Sequence, residues 1–315
     1  FWIAHSLDER YGGYLTMLDR EGSVYDTDKA IWVQGRGVWM YATLYNTVEQ
    51  RAEWLDAARL GYRFLVAHGF DSDGRMFFQV TRDGRPLIKR RYFFSEVCAA
   101  IACAQYAKAA GDDESLQRAR DIFRRIVDLA TNPGRVTPKV NPATRRTISH
   151  AVPMVLLVTA QEMRSVDPDP FYDQVAEQAA NQILNLFAKP EKRALLETLN
   201  ADGSLMLDTV AGRTINPGHA IESAWFLMHE ARYRGDQPIT QRPLDIADAL
   251  LAEQPRVIGF GKGYTATNEE ELWRALHAAK NNGDELAVID VKLDKYDISP
   301  RLRRLTEQLK KRVIR

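Results

Sequence analysis

The sequence holds only two cysteines in 315 residues, Cys98 and Cys103, too few for a disulfide framework. Both fall inside the Ala-rich run "EVCAAIACAQYAKAA", which reads as a buried helix, so a reducing compartment is expected. Net charge is nearly absent too, since 43 basic and 42 acidic residues leave only +1. That balance excludes the broad positive field that a nucleic-acid partner requires. Even the basic ending "RLRRLTEQLKKRVIR" sets Leu302, Leu305, Leu309 and Val313 at helical spacing, so its charges read as the wet face of an amphipathic helix. No apolar stretch approaches the roughly 18 uninterrupted residues that span a bilayer. The opening "FWIAHSLDER" lacks the basic flank and small-residue cleavage site of a signal peptide. These absences point to a cytoplasmic globular protein with no membrane partner. The opening on Phe1 rather than Met leaves room for native sequence ahead of it.

What is present is repetition. Three stretches share one plan, an Asp-Gly or Glu-Gly turn between short polar-aromatic strands, followed about a dozen residues later by a long Ala/aromatic helix pattern. They are "YLTMLDREGSVYDTDKAIWVQGRGVWMYATLYN", "FFQVTRDGRPLIKRRYFFSEVCAAIACAQYAKAAGDD" and "LLETLNADGSLMLDTVAGRTINPGHAIESAWFLMHEARYRGD". From Gly22 to Gly84 is 62 residues and from Gly84 to Gly203 is 119, which leaves room for one copy between. "NPATRRTISHAVPMVLLVTAQEMRS" fills that place as a weaker one. Between the copies run second helices with an amphipathic stripe, "VEQRAEWLDAARLGYRFLVAHG", "SLQRARDIFRRIVDLAT" and "FYDQVAEQAANQILNLFAK". Helices apolar nearly all round belong inside, and striped ones outside. Alternating pairs of this kind stack into a curved array or close into a ring. The N-terminal ends of the inner helices would then bring Gln34-Gly35-Arg36, Arg91 to Glu96, Ser149-His150 and His219 to Glu222 to one mouth, as a shared pocket requires.

Five collinear stretches carry a resemblance: "HSLDERYGGYLTMLDREG", "DKAIWVQGRGVWMYATLYN", "GRPLIKRRYFFSE", "SHAVPMVLLVTAQEMR" and "NPGHAIESAWFLMHE". Together they resemble the N-acyl-D-glucosamine 2-epimerase family over residues 1–236. That likeness implies a mostly α fold, a partial (α/α)6 barrel of helix pairs with short β-hairpins, of the six-hairpin glycosidase-like type. It implies an isomerase acting at C2 of the reducing-end sugar, typically N-acetylglucosamine or N-acetylmannosamine, through an enediolate. His219 would be one of two histidines moving the C2 proton, Glu222 would hold it or a sugar hydroxyl, and Arg36 would bind the open-chain carbonyl oxygen. His150 and Glu96 would line the sugar site. No cofactor is required by this likeness. Its epimerases often bind a stabilising nucleotide, for which no residue can be assigned, and a homodimer stays open.

The likeness breaks after residue 236. The family's second catalytic histidine lies in a sixth helix pair, and nothing in this sequence matches it. Pro238, Pro243 and Pro255 mark a junction over 237–255. Residues 256–315 read as a strand, a helix, the Val/Ile strand "LAVIDVKL" and a last helix capped at Asp297 or Ser299. This small α/β segment resembles the C-terminal end of thiamine-diphosphate decarboxylases. Their Gly-Asp-Gly cofactor motif is missing, so thiamine diphosphate is not expected. The competing expectation is a carbohydrate-binding or inactive fusion protein.

Removing a proton alpha to a sugar aldehyde needs a base that works near neutral pH and a donor at the oxygen where charge builds. Imidazole and guanidinium suit those tasks. Each residue also has a plainer reading. His219 can be a helix-start residue satisfying a backbone group, and His150 a cap for the helix "AVPM". Arg36 can pair with Glu96 or Glu49, and Glu96 with Arg90 or Arg91. His219 and Glu222 have ligand-like i, i+3 spacing, but no second such pair stands on another helix, so no metal is expected.

Overall fold

The computed structural model describes residues 1–89, 92–192, 194–235, 262–281 and 287–291. These fall into two compact units, one over 1–188 and 195–235, the other over the remaining described residues. The expected junction at 237–255 and the expected last helix lie outside the described residues.

The first unit is built from helix pairs. After a short helix α1 (Trp2–Ser6) come α2 (Ile31–Thr47) with α3 (Ala52–His68), α4 (Phe94–Ala110) with α5 (Asp113–Thr131), and α6 (Ala151–Val166) with α7 (Pro170–Gln182). A short turn α8 (Val210–Arg213) leads into α9 (Pro217–Arg234). Composition decides which helix goes where. In α4 nearly every residue from Ser95 to Ala107 is buried, and it packs between α2 and α6. Its outer partner α5 buries only a stripe, Ala119, Ile122, Phe123, Ile126 and Leu129, at the 3–4 spacing of one helix face. So α2, α4, α6 and α9 form the inner row and α3, α5 and α7 the outer row of a partial α/α barrel.

Polar ties fix the inner row. Trp39 Nε1 on α2 and Gln105 Nε2 on α4 both donate to Glu162 on α6, at 2.9 and 3.1 Å. Glu230 on α9 is 1% exposed and accepts from Gln161, Arg164 and Arg234, which locks α9 against α6. The expected hairpin turns are present. Gly22, Gly84 and Gly203 stand at φ of 92°, 91° and 83°, where an L side chain would be strained.

A buried cluster closes the N-terminal end of the chain onto this row. Lys29, wholly buried, donates to Asp8 at 2.8 Å and to the carbonyls of Gly12 and Arg82, while Arg82 makes a two-pronged bond to Asp8. Burial works against the Asp8 charge, but the hydrogen bonds and charges of Arg82 and Lys29 outweigh it and hold the carboxyl down at about 2.

In the second unit, strand Lys262–Ala266 pairs in parallel with strand Ala287–Val291, and helix α10 (Glu269–Lys280) runs between them in the chain. A parallel pair requires such a crossover.

Candidate active site at the start of α9

Two strands assemble the site. Thr147–Ser149 pairs antiparallel with Thr198–Asn200, and the register continues one step further as the His150 amide donates to the Glu197 carbonyl at 3.0 Å. The ladder therefore sets the His150 and Glu197 side chains side by side. Helix α9 supplies the rest. Asn216 caps it by accepting from the His219 amide at 3.3 Å, and Pro217 takes the first turn, where a missing N–H costs nothing. His219 is thus the capped residue and not the cap. Ser223 lies one turn on, on the same face.

His219 Nδ1 stands 3.0 and 3.1 Å from the two carboxylate oxygens of Glu197. His150 is wholly buried, with its Nε2 2.9 Å from Ser223 Oγ and its Nδ1 3.6 Å from Glu197 Oε1. That last distance is an ion-pair separation, and Nδ1 has no hydrogen-bond partner among the described residues. Burial would raise the Glu197 carboxyl, but the two imidazoles beside it lower it overall. An ionised carboxylate only accepts, so the proton of His219 sits on Nδ1 and the Nε2 lone pair is left free. The His219 side chain is 35% exposed and Glu197 15%, so the ring is reachable from outside while its partner is sheltered. His150, Glu197 and His219 also place three donor atoms within 4.8 Å of one another, a set that could hold a metal ion.

The other expected residues stand elsewhere. Glu222, one turn past His219, is exposed and makes no bond to its ring, so the carboxylate against His219 is Glu197, 22 residues earlier in the sequence. Arg36 is exposed on α2, with its guanidinium 5.5 Å from the Trp32 ring centroid. Neither acid suggested as its partner takes it, since Glu49 pairs with Arg51 and Glu96 with Arg75. Glu96 is 1% exposed and also accepts from the Met76 amide, and its second oxygen has no partner among the described residues. Arg90 and Arg91 lie outside those residues. No hydrogen bond or ion pair among the described residues joins Arg36, Glu96 or Glu222 to the His150–Glu197–His219 group. Sequence reasoning missed Glu197 and Ser223. Ser223 had a signal in its i+4 spacing from His219, whereas Glu197 depends on a strand register between two repeats.

A row of inner helices flanked by outer ones, with imidazoles at the starts of two inner helices, defines an α/α-barrel fold. Solved structures share it. A cellobiose 2-epimerase from Bacillus thermoamylovorans superposes with a TM-score of 0.70 at 18% identity, covering 81% of this chain and 69% of that one. A family 76 glycoside hydrolase from Bacteroides thetaiotaomicron gives 0.56 at 11%, covering 80% and 69%. The N-acylglucosamine 2-epimerase family model matches residues 13–256, and the chain belongs to that family. The rat N-acylglucosamine 2-epimerase is 33% identical over 252 residues, 78% of this chain and 60% of the relative. The chain thus spans well under two thirds of that relative's length. The expected likeness of residues 256–315 to thiamine-diphosphate decarboxylases is not borne out, and the family model instead runs on through the expected junction to residue 256. Among the described residues no helix is long and apolar enough to cross a membrane.

Proposed function

We propose that this chain carries the proton-transfer site of a sugar 2-epimerase, in which His219 removes the C2 proton of an open-chain N-acylhexosamine through an enediolate. The single observation that carries this is the hydrogen bond from His219 Nδ1 to Glu197. It fixes the tautomer that leaves Nε2 as a proton acceptor on an accessible ring. Glu197 holds the ring and stabilises the imidazolium formed on proton transfer. His150, wholly buried beside Glu197 and bonded to Ser223, backs the site rather than meeting substrate. Arg36 serves the carbonyl oxygen where negative charge builds, and exposed Glu222 meets a sugar hydroxyl. N-acetylglucosamine and N-acetylmannosamine are the substrates of choice, supported by the name of the rat relative. The buried thiols Cys98 and Cys103, free of any disulfide, support a cytoplasmic setting.

Exchange at C2 needs only one base, whereas net inversion needs a second donor on the opposite face. The deciding experiment is therefore incubation with N-acetylmannosamine in heavy water, followed by NMR at C2. Deuterium uptake is expected from wild type and a loss of about 100-fold or more from His219→Ala. No uptake by wild type, or equal uptake by the variant, rejects the assignment.

A further inference from the structure

The His150 nitrogen that faces Glu197 is a buried polar atom with no hydrogen-bond partner among the described residues. Its position is informative because the other ring nitrogen is occupied by Ser223 Oγ at 2.9 Å. Nδ1 then faces the Glu197 carboxylate at 3.6 Å, too long for a hydrogen bond and within the span that a shared cation would fill. On the other side of the same carboxylate stands His219 Nδ1. Two nitrogen donors and an oxygen donor thus converge from the start of α6, from Glu197 just ahead of the strand Thr198–Asn200, and from α9. Tetrahedral zinc with bonds of about 2.0–2.1 Å keeps its donor atoms about 3.3 Å apart. The separations of 3.6 Å from His150 Nδ1 to Glu197 Oε1 and 3.0 Å from His219 Nδ1 to Glu197 Oε2 bracket that spacing. The Ser223 hydroxyl on the far nitrogen of His150 is the kind of support that orients a metal-binding imidazole.

We propose that His150 Nδ1, the Glu197 carboxylate and His219 Nδ1 form a binding site for a divalent ion of the zinc class, and that its occupancy switches off proton transfer by His219. Mixed imidazole and carboxylate donors suit Zn2+ over Mg2+ or Ca2+, which prefer oxygen. The switch follows from the tautomer. An ion on Nδ1 displaces the proton that Glu197 holds there, and a neutral imidazole must then carry its proton on Nε2. The lone pair that would accept the C2 proton is gone, and the carboxylate that would stabilise the imidazolium is bound to metal. Zinc is therefore an inhibitor here and not a cofactor. The binding half of this proposal is independent of the sugar chemistry, whereas the inhibition half rests on His219 acting as the base.

The full chain, dialysed against Zn2+ after chelator treatment, is expected to bind one ion, and Co2+ in its place is expected to give the intense visible bands of a four-coordinate site. Glu197→Gln and His219→Ala should each weaken binding by about 100-fold or more, and Ser223→Ala by roughly 10-fold. Circular dichroism of each variant separates loss of a ligand from loss of fold, and His219, being partly exposed, is the substitution least able to disturb the core. Undetectable binding, or unchanged binding in folded His219→Ala, overturns the site. Binding that persists in His219→Ala and disappears in Cys98→Ala assigns the metal to the thiols and overturns it too. With wild type, C2 deuterium exchange should fall in step with zinc occupancy. Full exchange at full occupancy overturns the inhibition half. Absence of exchange without zinc instead rejects the sugar chemistry and with it the inhibition half, while the dialysis result still decides the site.

Discussion

Two carboxylates compete for the role beside His219, and their positions separate their effects. Glu197 touches the ring and meets solvent only slightly, whereas Glu222 is exposed one turn along α9 and has no bond to the ring. Glu197→Gln keeps an acceptor for Nδ1–H but deletes the charge that stabilises the imidazolium. It should lower kcat for C2 exchange by about 10- to 100-fold with little change in KM, an ordinary magnitude for weakened acid–base chemistry. Glu222→Gln should instead raise KM and leave kcat nearly intact. Steady-state exchange rates at several sugar concentrations read this split, and a kcat loss confined to Glu222→Gln would reverse the two roles. Much of this was legible in the sequence. His219 and its cap stand in one local stretch, "NPGH", because capping is a matter of neighbours. Glu197 was not legible, because it reaches His219 through the pairing of strand 147–149 with strand 198–200, about fifty residues apart, and nothing local encodes that register.

At the scale of helices, the inner row was readable for α4 because its apolar residues cover every face, and for α5 because they cover one. The glycines of "VQGRGVW" were less transparent, since nothing local shows what their missing side chains make room for. A glycine inside a helix costs roughly 1 kcal/mol relative to Ala, so α2 must gain something from Gly35. A Cβ added there would lie 2.9 Å from the backbone carbon and oxygen of Cys98, so the missing side chain is what lets α2 meet α4 backbone to backbone. Gly35→Ala should therefore destabilise by about 1–3 kcal/mol through overpacking, despite its better helix propensity. Urea unfolding followed by circular dichroism measures this. A midpoint raised above wild type would mean that the two helices can part at no cost.

For the first unit as a whole, acid is the condition that tests how its pieces are held. Asp8, buried to 1% exposure, ties the N-terminal segment to Lys29 and to Arg82 of a distant hairpin, and its folded pKa of about 2 lies below the ordinary aspartate value. A depressed carboxyl contributes stability that is fully present above its unfolded pKa of about 3.9 and is lost as pH falls through the folded value. For Asp8 that loss is on the order of 2 kcal/mol between about pH 5 and pH 2. Glu230, lowered against the opposing effect of burial by Arg164, Arg234 and Gln161, titrates in the same sense, and it bridges α6 to α9. Unfolding free energy should thus be flat above about pH 5 and fall steadily below it. Asp8→Asn should remove part of that slope and also lower the plateau by about 3–5 kcal/mol, because it leaves the Lys29 ammonium buried without its counter-charge. Lys29→Met leaves the Asp8–Arg82 pair in place and should keep most of the acid slope. Denaturation at several pH values distinguishes these outcomes, and an Asp8→Asn protein with the wild-type slope would show that the acid response arises in carboxylates other than this clasp.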